Sequence, residues 1–233
     1  MKGTSIKFFL IGMIAPLIFS SVSSAWNDET HLAVAKAAGY YKWYNAAAAD
    51  IVKIKVKDKE DPNHYVNNTP GAVITSQMVL KQVKYYDQVD EIGHLYGAII
   101  ASLKNYLADK QRGEYGEYHM AFCAHYVGDL SMPLHNIYYS PFNKKYHKTL
   151  DGIINTEVLD NLRRIRIYPI HIRSEQDLAA EIARIANITA KLGFQLEKEK
   201  RLLTSAEAYE QISHSASLLK GILAYTETQV DKK

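Results

Sequence analysis

Thiols are nearly absent from this sequence: Cys123 is its single cysteine, so no intramolecular disulfide can form. Stability must come from packing, with bound metal as the remaining staple. A long apolar run is also missing. The longest, Phe8 to Phe19, covers about a dozen residues, short of the roughly 20 that cross a bilayer as a helix. Lys2 and Lys7 precede it, small residues follow, and Ser23 and Ala25 occupy the positions expected before a cleavage point. Residues 1–25 therefore read as a secretory signal peptide, with export to the periplasm or beyond the cell and Trp26 as the mature N-terminus. The remainder, 26–233, is long enough for one well-buried domain and short for two. A dominant sign of charge is lacking too. The formal charge is +3, and Lys2 and Lys7 leave only roughly +1 on the mature part, which makes no case for nucleic acid. Acidic and basic residues are interspersed, and neither a repeat nor a low-complexity tract occurs.

Strand-like alternation is scarce, whereas apolar residues recur at three- and four-residue spacing, as in Leu95, Ile99, Leu103, Tyr106 and Leu107. The class expected is all-α, a single-domain multi-helix bundle. The periodicity predicts helices near 28–43, 44–56, 72–86, 90–109, 114–131, 145–160, 174–192 and 204–230. Ser174-x-x-Asp177 and Thr204-x-x-Glu207 resemble capping boxes, the first with Asp where Glu is preferred. Stretches 57–71 and 132–144, with Pro62, Pro70, Pro133 and Pro141, read as loops. Ile165 to Ile172 alternates in part, but Pro169 makes it a crossing loop rather than a strand.

The segment 119–136, HMAFCAHYVGDLSMPLHN, carries the most chemistry. On a helix His125 and Asp129 stand four residues apart and project from one face, within reach of one ion. Pro133 suits a turn that returns His135 to the same centre. His147 and Asp151 repeat the i, i+4 arrangement. Imidazole and carboxylate are good zinc ligands, and rigid helices fix their geometry in advance. Cys123 reads as a small core hydrophobe, and His94, His119, His171 and His214 as surface or core histidines without a ligand partner.

Taken together, Trp26, His31, His125-Tyr-Val-Gly-Asp129, Pro133-Leu-His135 and His147-x3-Asp151 resemble the superfamily of zinc-dependent phospholipases C and S1/P1 nucleases. The pattern covers most of 26–151; the helices after 160 match only in general character. The resemblance implies three zinc ions and an Asp–His pair upstream of the motif. Asp50 and His64 have the required separation, while Asp58, Asp61, Asp87 and Asp90 have no His at that distance. By analogy Asp50, His64, His125 and Asp129 hold one zinc, and His135, His147 and Asp151 a second. His31, a bridging Asp129 and the free amino group and carbonyl of Trp26 hold the third. Signal removal would create that last ligand.

The activity implied is hydrolysis of phosphate diesters by a metal-activated water, with Asp50 orienting the water as well as ligating metal. Lys53 stands where the nucleases carry a phosphate-contacting arginine; a solvated helix lysine is the alternative. For substrate, Glu29 matches the acid that phospholipases use near a choline headgroup, although Ile51 and Asp61 replace the expected aromatics. Tyr65 follows His64 where a nuclease stacks a base, and Asn67 stands where the nucleases often carry a base-reading acid. The balance leans to phospholipid over single-stranded nucleic acid, with transient membrane-surface contact and no obligate protein partner. A non-catalytic zinc protein is the third reading. It is disfavoured because structural sites are usually closed and cysteine-rich.

Overall fold

The computed structural model describes residues 26–230; the expected signal peptide, 1–25, lies outside them. The described residues form an all-α domain without strands. The helices are α1 (Asp28–Ala38), α2 (Ala48–Lys53), α3 (Lys57–Glu60), α4 (Ser76–Gln82), α5 (Leu95–Arg112), α6 (Glu117–Leu130), α7 (Pro141–Asp151), α8 (Asn155–Val158), α9 (Glu175–Glu199) and α10 (Ser205–Val230). Among them, none is long and apolar enough to cross a membrane.

At the centre lies α6. It is apolar nearly all round, with Met120, Ala121, Cys123, Ala124, Tyr126, Val127 and Leu130 buried, as expected of a helix enclosed by others. It pairs along its length with α5 and packs against α1, α2, α9 and α10. Two candidate ligands that it bears, His125 and Asp129, are fully enclosed.

Several boundaries differ from expectation, each for a local reason. The first helix stops at Ala38 because Gly39 takes the left-handed conformation (φ 87°) and its N–H caps the last turn; a short 3-10 turn, Trp43–Asn45, follows. The 44–56 prediction shrinks to six residues, and the 57–71 loop contains α3 and a 3-10 turn at Asp61–Asn63. Thr75 caps α4 through Met78 N, leaving 72–75 outside the helix. Pro141, read as loop, is the first residue of α7, where a missing N–H costs nothing, and the Ser140 hydroxyl accepts from Asn143 N at 3.1 Å. Residues 132–144 also contain a 3-10 turn, Pro133–Asn136. The predicted 145–160 helix is split at Gly152 into α7 and α8. Residues 165–173 form no strand, in keeping with a crossing segment.

Candidate metal centre

Three histidines of the centre have one ring nitrogen hydrogen-bonded to an acceptor and the other facing inward, and His64 is turned the same way, its outer nitrogen facing Glu60 without a hydrogen bond. His125 Nδ1 donates to the Ala46 carbonyl at 2.8 Å, and His135 Nδ1 to the His64 carbonyl at 2.5 Å. His147 Nδ1 donates to Asn143 Oδ1 at 2.6 Å, and His64 Nε2 lies 3.3 Å from Glu60 Oε1. A neutral imidazole that donates from one nitrogen presents a lone pair at the other. The inward lone pairs of His135 and His147 therefore face each other, Nε2 to Nε2, at 2.9 Å. Those of His64 and His125 stand 3.3 Å apart. Two lone pairs at such a distance repel unless a cation lies between them. Two nitrogens sharing a tetrahedral zinc at its usual bond length stand about 3.3 Å apart.

Carboxylates complete three groups whose ligand atoms converge: His31, His125 and Asp129; Asp50, His64 and His125; His135, His147 and Asp151. Each of these buried groups can hold a metal ion. Asp129 lies at the middle, with Oδ1 3.4 Å from His31 Nε2 and 3.8 Å from His135 Nδ1. Its Oδ2 is 2.9 Å from His64 Nδ1 and 3.4 Å from His125 Nε2. Asp50 Oδ1 lies 3.9 Å from His64 and 3.7 Å from His125, and Asp151 Oδ2 is 3.6 Å from His147. Both oxygens of Asp50 and of Asp151, one of Asp129 and both nitrogens of His31 are buried without a hydrogen bond. Buried polar atoms are normally paired, and a row of orphans converging on shared points fits ions as the missing partners. The His31 ring stacks on His125 at 3.8 Å, 12° from parallel. Gly128 makes room for it, because a Cβ there would overlap His31 Nδ1.

The electrostatics agree. Burial pushes His125 and His147 down to about 4, with His31 adding to the effect on the first and Lys53 on the second, so both are lone-pair donors at neutral pH. Burial also holds His135 well below the usual range. Burial works against ionised Asp129, yet His125, His31 and His64 around it keep its carboxyl well below the ordinary value. Asp151 is pushed up by burial and by the charge of Asp129. His64 differs: burial and Lys53 depress it, but its bonds to Asp129 and Glu60 outweigh both and raise it. A positive charge is thus called for where these carboxylates meet, and either a proton on His64 or a cation supplies it.

Sequence reasoning placed His31, Asp50, His64, His125, Asp129, His135, His147 and Asp151, and all eight fall in the three groups. Trp26 is fully buried, its indole donating to Ser131 Oγ at 3.3 Å, and the next residue's N–H bonds the Asp151 carbonyl at 3.1 Å. Lys53 is buried, with Nζ 3.5 Å from Asp61, which overturns the solvated alternative. Glu29, Tyr65 and Asn67 are outside the convergence. Glu29 is bonded by Asn155. The Tyr65 hydroxyl donates to the Asp90 carbonyl at 3.5 Å, and the Asn67 amide donates to that of Glu91 at 2.7 Å.

Two residues were missed. Glu60 accepts from the Tyr126 hydroxyl at 2.6 Å while facing His64, a carboxylate–histidine pair that orients a ligand. Asn143 fixes His147 and donates to the Leu134 carbonyl at 2.8 Å, joining α7 to the His135 turn. Both precede a candidate ligand histidine by four residues, and that spacing is the signal that could have found them. Cys123 is a buried core residue whose thiol is pushed up to about 12 by burial. His94 is a core histidine, its Nε2 2.9 Å from Asn63 Oδ1. His119, His171 and His214 also lie outside the three groups. No protein-family model and no curated protein matches this chain.

Proposed function

We propose that this protein is a zinc-dependent hydrolase of phosphate diesters, of the phospholipase C and S1/P1 nuclease kind, holding three ions. The observation that carries this reading is the inward pairing of His135 and His147, each locked by an acceptor behind it, with Asp151 orphaned beside them. Zinc held by these groups would polarise phosphoryl oxygens, activate a water and stabilise the leaving oxygen. Asp129, touching four histidines, would bridge the first and third ions. Asp50 is the carboxylate nearest solvent, 11% exposed with both oxygens unbonded, and it would ligate metal and take the proton of the attacking water. Lys53, three residues on, adds positive charge to the same wall, which suits a phosphate. Trp26, freed by removal of residues 1–25, would add its amino group and carbonyl. An exported chain is consistent with a catalyst that needs no cellular cofactor beyond metal.

The test is a side-by-side assay of purified protein on phosphatidylcholine, single-stranded nucleic acid and a 3′-mononucleotide, before and after chelation. Hydrolysis of a phosphoester that stops on chelation and returns with zinc is expected. Zinc retention without turnover of any phosphoester would instead identify a carrier.

A further inference from the structure

The candidate ligands nearest solvent are Asp50 on α2 (side chain 11% exposed, both oxygens buried) and His147 on α7 (12%), while the others are at most 3% exposed. The side from which the centre is most readily approached, its mouth, is therefore that of α2 and α7. Directly after Asp50 the chain turns three aliphatic side chains to solvent: Ile51 is 62%, Ile54 71% and Val56 47% exposed. Single exposed aliphatics are ordinary, but three within six residues at the mouth of a site form a patch. Lys55, Lys57 and Lys59 interleave with them, all exposed, and Asp58 is the one exposed acid from 51 to 59. Lys57 pairs with Asp61, whereas Lys55 and Lys59 have no acidic partner among the described residues. On the other side, exposed Lys144 and Lys148 flank His147.

We propose that the 51–59 strip docks the protein on an anionic lipid bilayer, so that a headgroup phosphate enters between Asp50 and His147. Aliphatic side chains set among lysines suit the boundary of headgroups and acyl chains, where apolar burial and attraction to anionic lipid act together. A single-stranded nucleic acid would also meet the lysines, but Ile51, Ile54 and Val56 offer no ring on which bases stack. The inference deepens the phosphodiesterase reading by naming a lipid surface as the source of substrate, yet docking itself requires no turnover.

The experiment is flotation of the purified protein with vesicles of equimolar phosphatidylglycerol and phosphatidylcholine. Ile54→Ser with Val56→Ser should weaken partitioning about tenfold, and Lys55→Gln with Lys59→Gln by about fivefold per lysine, the second loss vanishing on pure phosphatidylcholine. Hydrolysis of soluble bis(p-nitrophenyl) phosphate should stay within about twofold of wild type in both. Partitioning equal to wild type in both variants overturns the proposal. So does loss of single-stranded oligonucleotide binding in place of vesicle binding, or conversion of a dimer to a monomer, which would mark a self-contact. Strip-dependent flotation without any phosphoester hydrolysis would sink the enzymatic reading and leave the docking surface standing.

Discussion

Three of the five histidines of the centre, His125, His135 and His147, are set by a hydrogen bond behind the ring, and a fourth, His64, faces a carboxylate. The Ala46 carbonyl, the His64 carbonyl and Asn143 accept one hydrogen bond each, leaving the second nitrogen of the ring bare, and Glu60 stands 3.3 Å from His64 Nε2. Such backing partners orient metal ligands and raise their basicity. His31 has no such partner and is placed by packing, between the face of His125 and the backbone at Gly128. Gly128→Ala should therefore displace His31, lowering stability by about 1–3 kcal/mol through overpacking and removing one zinc per chain; unchanged metal content and melting temperature would show that the ring is free to move. Among the candidate ligands, His125 with Asp129 and His147 with Asp151 were legible as i, i+4 pairs and His135 from the turn at Pro133, whereas His31, Asp50 and His64 were found only through the resemblance. The backing atoms were not legible. A main-chain carbonyl such as Ala46 leaves no mark in a sequence, and Glu60 sits in a stretch that its proline made look like a loop.

Among the elements, those with explicit start signals were read best. At α10, Glu207 N donates to Thr204 Oγ1 at 3.2 Å while Thr204 N donates to Glu207 Oε2 at 2.9 Å, the reciprocal pair expected. At α9, Asp177 N bonds Ser174 Oγ at 3.1 Å, but the shorter acid receives Arg173 N rather than the cap residue's own. Arg201 adds a bidentate pair to Glu207, at 2.8 and 2.9 Å. Hydrogen bonds from Arg201 and then Thr204 hold the Glu207 carboxyl at about 2, against the cost of partial burial. A depressed carboxyl contributes stability above its unfolded value, about 4.3, and loses it as pH falls through the folded value. Glu207→Gln should thus cost about 1 kcal/mol at pH 7, after allowance for solvent screening, and the gap from wild type should close between pH 5 and pH 2. A gap independent of pH would assign the effect to packing. Short elements were read worst: α2, α3 and the 3-10 turns span too few residues for a period to register, and tertiary contacts rather than propensity hold them.

In the molecule as a whole, the candidate ligands come from α1, α2, the turn before His64, α6, the 133–136 turn and α7, while α9 and α10 supply none. The long C-terminal helices buttress: α10 packs on α1 and α6, and α9 on α4 and the His135 turn. The apolar period that made the all-α class legible lies in α5, at Leu95 to Leu107, and the lack of chemistry in α9 and α10 is why the resemblance faded after 160. Ions at the centre would join segments far apart in sequence, coupling metal binding to folding, in a domain without disulfides. The most direct measurement is the metal content of purified protein and of two variants. Wild type should carry about three zinc ions, His147→Ala should lose one, and Asp129→Ala, deprived of the carboxylate proposed to bridge two ions, should lose more. Equal losses would contradict the bridge, and wild-type protein without bound metal would contradict the account.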